Sequence, residues 1–163
     1  MEIIGNQPEP KINLIIQKEL GIKNLENISR LGDIIKTESE KQQIESHLLL
    51  VGGMVKPEKR GKFHKDVDLV FYSPQLASET MPKDDCPKFD KFASFISDVA
   101  KQLDWKVEIE KPWFVDYEYC GDGKVILYND GEPIEVLPVR EDKISNSFEE
   151  YKKDEKDPYV IIF

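Results

Sequence analysis

The feature that most limits the fold is Leu48-Leu-Leu-Val-Gly-Gly-Met-Val55, followed after a basic loop by His64-Lys-Asp-Val-Asp-Leu-Val-Phe71. An apolar run ending at a glycine pair reads as a buried strand that turns. The second segment alternates. On a strand, residues i and i+2 share a face, so Asp66 and Asp68 project together while Val67, Leu69 and Phe71 line the other side. Neighbouring carboxylates repel one another, and a divalent cation shared between them removes the repulsion. Gly52 and Gly53 lack Cβ atoms, so a phosphate can approach their backbone, where successive N–H groups bind an anion. The two segments therefore place a metal pair beside a phosphate cradle.

Length and charge limit what such a site can serve. A chain of 163 residues, 39% of them hydrophobic, buries one sizeable core. The expected organisation is a single domain: a helical segment over 1–47, a catalytic core over 48–139 and an acidic tail over 140–163. A formal net charge of −9 excludes a surface that grips nucleic acid throughout, because phosphate neutralisation needs clustered Lys and Arg. The local exception is the loop between the glycines and the aspartates, with Lys56, Lys59, Arg60, Lys62 and Lys65. Cys86 and Cys120 lie far apart, and Met1–Pro10 has no basic-then-apolar leader. Both features fit a reducing, cytoplasmic setting better than a disulfide framework. No apolar run approaches membrane-spanning length.

Elsewhere, Ile12, Ile15, Ile16 and Leu20 repeat at helical spacing, with Gly21 placed as a cap. Leu25, Ile28, Leu31 and Ile35 predict a second helix. Thr37 and Glu40 have the form of a capping box that opens an exposed helix before the Leu48 strand. Gln75 to Lys83 lacks periodicity and reads as a loop. Asp84, Asp85 and Pro87 open a helix whose Phe89, Phe92, Phe95, Ile96, Val99 and Leu103 make one apolar face, expected to pack on a sheet. From Trp105 the period becomes two, with Phe114 to Tyr119 continuing as a strand. Gly121-Asp-Gly123 and Asn129-Asp-Gly131 punctuate an antiparallel meander. In Pro133–Val139, Ile134 and Val136 share one face and Glu135 takes the other, which offers a third carboxylate. Arg140 to Asp157 is charged with few anchors, and Tyr159 to Phe163 is apolar enough to dock. The fold class is α/β (α+β): a mixed, twisted sheet with helices packed mainly on one face.

Val51-Gly-Gly-Met-Val55, Arg60-Gly61 and His64-Lys-Asp-Val-Asp-Leu69 resemble the signature of the DNA polymerase β-like nucleotidyltransferase superfamily, in which a glycine pair precedes an alternating aspartate pair. The pieces look like those of CCA-adding enzymes and of the small, single-domain aminoglycoside and lincosamide nucleotidyltransferases. The His-x-Asp-x-Asp form and the chain's size favour the second group. The resemblance covers about a seventh of the chain, the rest agreeing by element order alone. CCA-adding enzymes usually carry Arg-Asp after the glycines where this chain has Lys56-Pro57, so substrate identity does not transfer.

The resemblance implies a nucleotidyltransferase fold and a metal-dependent transfer of a nucleoside monophosphate from a nucleoside triphosphate such as ATP to a hydroxyl, with release of pyrophosphate. It implies that Asp66 and Asp68 hold Mg²⁺ or Mn²⁺, with Glu135 as third ligand or general base and Glu118 or Asp116 as competitors. Gly52 and Gly53 would contact the phosphates, and Lys56, Arg60, Lys62 and Lys65 would neutralise the departing pyrophosphate. A small hydroxyl compound is the expected acceptor ahead of a protein or an RNA end, and a homodimer would supply a missing wall. The alternative is a non-catalytic nucleotide-binding or toxin–antitoxin-type interaction module of the same fold. Each feature also has an ordinary reading: a tight turn for the glycines, a solvated strand face for the aspartates, a structural role for His64, and packing for Trp105 and Trp113.

Overall fold

The computed structural model describes residues 8–9, 14–55, 66–80, 85–115, 118–144 and 146–163. Helix α1 (Leu14–Lys41) spans both N-terminal apolar repeats except Ile12, which lies outside the described residues, and is interrupted at the expected residue, Gly21, whose φ of 78° leaves the helical region and favours a residue without a Cβ. Leu20, Ile28, Leu31 and Ile35 are buried. Thr37 does not cap a new helix. Its hydroxyl donates to the Asp33 carbonyl at 2.9 Å, an internal bond that lets a threonine sit within a continuing helix.

The strands are β1 (Pro8–Glu9), β2 (His47–Val51), β3 (Val67–Tyr72), β4 (Lys106–Glu110), β5 (Trp113–Val115), β6 (Glu118–Gly121), β7 (Lys124–Tyr128), β8 (Ile134–Pro138) and β9 (Tyr159–Ile161). Seven of them form one sheet in the order β1-β9-β2-β3-β8-β7-β4, while β5 and β6 pair separately. The sheet is mixed because β3 runs parallel to β8 and β1 to β9, with the other neighbours antiparallel. The expected continuous strand from Phe114 to Tyr119 is therefore two antiparallel strands with a register shift at Trp113/Phe114. Trp113 is 56% exposed and lies against Gly121, where any Cβ would overlap its indole; only Trp105 packs against the core as expected.

Helix α2 (Pro87–Gln102) fulfils its aromatic pattern: Phe89, Phe92, Ile96 and Val99 are fully buried. Together with α1 it covers the face formed by Leu48, Leu50, Leu69, Phe71, Val125 and Val136. Cys86 at its N-cap makes no side-chain cap bond. Glu79 takes that role from the preceding loop, accepting from Lys88 N at 2.7 Å and Phe89 N at 2.9 Å. The expected loop from Gln75 is found in its described part and is anchored: Leu76, Ala77 and Ser78 are buried, and Ser78 exchanges backbone bonds with Val139 and Glu141.

The opposite face carries a short helix, α3 (Phe148–Asp154), in what reads from sequence as a tail with few anchors. Ser147 caps it by accepting from Glu150 N at 3.2 Å, and Phe148 and Tyr151 pack with Leu49, Tyr72, Val139 and Tyr159. The apolar C-terminus docks as expected, β9 lying between β1 and β2. Helices thus sit mainly on one face, with α3 as the exception.

Candidate active site

Strand β3 alternates as its sequence requires. Val67, Leu69 and Phe71 are fully buried, which turns Asp68 to the face opposite α1 and α2, with Asp66 just ahead of the strand. In β8, Ile134 and Val136 are buried and Glu135 faces the other way. The parallel register sets Asp68 beside Glu135, and the antiparallel register with β2 sets Asp68 beside Val51. One oxygen each from Asp66, Asp68 and Glu135 consequently lies within 4.8 Å of the other two.

After Val51 the chain enters a single 3-10 turn, Gly52–Met54. Gly52 has φ +81°, and a Cβ there would overlap Oδ2 of Asp68. The first glycine is therefore demanded twice, by the left-handed backbone and by the carboxylate against it. Behind the site, Val67 N donates to the Pro133 carbonyl at 2.9 Å. Asn27 reaches Asn129 at 3.1 Å and Asp130 at 2.9 Å, and Asn24 accepts from Glu132 N at 2.9 Å. These bonds fix the turn that delivers Glu135 against α1.

The cluster holds more negative charge than its surroundings favour. Burial, then a hydrogen bond with Glu135, then the charges of Asp66 and Glu135 push the Asp68 carboxyl up to about 7, with Lys124 pulling the other way. Lys124, on β7, places its Nζ 2.7 Å from Glu135 Oε1 and 3.7 Å from Glu110 on β4. The bond to Glu135 raises the Lys124 pKa above its ordinary value, so the ammonium stays charged.

The structure therefore brings together Asp66, Asp68, Glu135 and Gly52, with Gly53 next in the turn. Lys56, Lys59, Arg60, Lys62, Lys65, His64 and Asp116 lie outside the described residues, and Glu118 sits on β6 in the separate two-stranded sheet. Lys124 and Glu110 are additions. Their only sequence signal is position on a predicted meander, because opposite pairing of Glu110 with Lys124 requires the register of β4 on β7.

No protein-family model and no curated protein matches this sequence. Among solved structures, the chain is similar to a CCA-adding enzyme with ATP at 18% identity and TM-score 0.43, over 78% of this chain and 23% of the other. It is similar to a tRNA-processing enzyme at 18% and 0.43, over 83% and 26%. It is also similar to the Thermotoga maritima CCA-adding enzyme complexed with tRNA at 17% and 0.42, over 76% and 23%. None of these three is of the antibiotic-modifying type favoured by the His-x-Asp-x-Asp form. The chain spans about a quarter of their length.

Proposed function

We propose that this chain is a metal-dependent nucleotidyltransferase of the DNA polymerase β-like superfamily, moving a nucleoside monophosphate from a triphosphate to a hydroxyl acceptor. The observation that carries the reading is the convergence of Asp66, Asp68 and Glu135 against a glycine that tolerates no side chain. The donor set suits Mg²⁺ or Mn²⁺, since all three groups are carboxylates and oxygen is the ligand such hard cations take. Asp68 is disfavoured as an anion without added positive charge. Bound there, the cation offsets triphosphate charge and favours attack by a hydroxyl on the α-phosphorus.

The chain's own groups divide the remaining work. Asp66, Asp68 and Glu135 hold the cation, and the Gly52–Gly53 backbone meets the phosphates. Lys56, Arg60, Lys62 and Lys65 neutralise the leaving pyrophosphate. Glu135 serves as the third ligand, the role its convergence with Asp66 and Asp68 supports. A groove of about 300 Å³, lined by Val70, Leu137 and Tyr151 together with Arg140, Lys143, Asp122 and Glu155, begins one side-chain step along β3 and β8 from Asp68 and Glu135. Its size and the acidic chain favour a small hydroxyl acceptor over RNA.

Calorimetric titration with each nucleoside triphosphate, with and without Mg²⁺, tests the reading, followed by a pyrophosphate-release assay over small hydroxyl compounds and short RNA. Metal-dependent binding that Asp66→Asn and Asp68→Asn abolish is expected. Absence of binding to every triphosphate would refute it; binding without release across all acceptors would favour the non-catalytic module, and release with RNA alone would replace the acceptor class.

A further inference from the structure

We propose that Lys124 is a tethered counter-ion of the carboxylate cluster, which occupies Glu135 until a divalent cation arrives and then retires to Glu110; this rests on the nucleotidyltransferase reading only for the identity of the incoming ion. Three observations carry it. The Lys124 ammonium bonds Glu135 Oε1 at 2.7 Å, so one of the oxygens available to a metal is already engaged by a positive charge. A second carboxylate, Glu110, stands 3.7 Å from the same ammonium, set there by the opposite pairing of Glu110 and Lys124 on β4 and β7. The two acids differ in surroundings: Glu135 has 17% of its side chain exposed and Glu110 has 49%, so Glu110 is the wetter resting place.

The geometry makes a small lateral movement of a long, flexible side chain sufficient. Lysine is suited to it, since its ammonium is a compact point charge on a four-carbon stem, whereas a planar guanidinium would hold a carboxylate in a fixed fork. The consequence is competition: cation and ammonium share Glu135, so the site resists filling by one positive charge in proportion to how closely Lys124 keeps to it.

The test measures Mn²⁺ binding to the whole chain by electron paramagnetic resonance of the free ion, together with thermal melting in chelator. Lys124→Met is expected to bind Mn²⁺ about tenfold more tightly, as removal of a neighbouring unit charge predicts, and to melt lower than wild type in chelator. Glu110→Gln, which leaves Glu135 as the ammonium's partner, is expected to bind Mn²⁺ several-fold more weakly while remaining folded. It keeps the proposal testable should Lys124→Met not fold. Equal or weaker Mn²⁺ binding by Lys124→Met, or unchanged binding by Glu110→Gln, would overturn the inference while leaving the metal site itself intact. A wild-type chain that binds no Mn²⁺ would overturn the nucleotidyltransferase reading and the displacement with it. The chelator melts would then report only whether Lys124 stabilises the cluster.

Discussion

Asp68→Asn separates a carboxylate kept for chemistry from one kept for stability. In wild type the folded chain holds a proton on Asp68 up to about pH 7, against an ordinary value of 3.8. The folded state therefore binds more protons than the unfolded state between those values, and the contribution of Asp68 to stability is present at low pH and lost as pH rises through that window. The full shift corresponds to about 4 kcal/mol. Partial exposure and sharing of the proton with Glu135 reduce it to about 2 kcal/mol. Asparagine has the shape of the neutral acid, can donate to Glu135 and has no charge to lose.

Metal-free Asp68→Asn is thus expected to melt about 6 °C above wild type at about pH 8, and close to it at about pH 5. Adding Mg²⁺ should raise the wild-type melting temperature and leave the variant unmoved, because the stabilisation follows ligand affinity. The assay is paired thermal denaturation at both pH values, in chelator and in Mg²⁺. A variant that melts below wild type in chelator at the higher pH, or a difference that is the same at both pH values, would refute the claim that the cluster is strained by its own charge.

Gly52→Ala should lose Mg²⁺-dependent stabilisation and about 2–4 kcal/mol of stability, since it combines a left-handed φ with displacement of Asp68; urea titration measures the loss and calorimetry the metal binding. Glu79→Ala should cost about 1–2 kcal/mol by removing both acceptors at the start of α2, with metal affinity unchanged on calorimetry. Phe148→Ala should cost about 3 kcal/mol and detach α3, because its ring stacks on His47 at 3.7 Å and meets Tyr72 and Tyr151; limited proteolysis should then cut between β8 and β9. Burial, reinforced by Lys152 and opposed by Glu45, lowers the His47 pKa below 6.5. Its contribution to stability is therefore present above that value and lost as pH falls, opposite in sign to Asp68. His47→Phe should abolish this acid-side loss in melts recorded across the range.

How much of this was legible in the sequence depends on the range of the interaction that fixes each feature. The alternation Val67-Asp-Leu-Val-Phe71 told which side chains share a face because a strand's period is set by its own backbone, and the same logic placed Glu135 opposite Ile134 and Val136. Two capping boxes show where local reading becomes ambiguous. Thr37 and Glu40 matched the pattern, yet Thr37 bonds back to Asp33 within a helix. The same spacing stands at Ser147 and Glu150, within a stretch that reads from sequence only as a charged tail, and there Ser147 does cap. The difference lies in tertiary support: Phe148 and Tyr151 have Tyr72 and Leu49 to pack against, so a short helix in a charged stretch is stabilised from across the sheet.

The carboxylate cluster lies beyond either kind of local signal. Asp68 and Glu135 are neighbours because β3 and β8 pair in parallel, a connection that must leave the sheet and return, taking α2 and four intervening strands with it. A slip of one residue in that register would place Ile134 or Val136 beside Asp68 and turn Glu135 into the core. Burial forbids it. Ile134 and Val136 are 1% and 0% exposed on the side facing α1 and α2, so the apolar residues that specify the fold also hold the third carboxylate at the site. The convergence of Asp66, Asp68 and Glu135 therefore depends on the core packing of β8. A large-to-small change at Val136 should loosen Glu135 from the cluster before it alters either aspartate, because the buried Val67, Leu69 and Phe71 that hold β3 are unchanged.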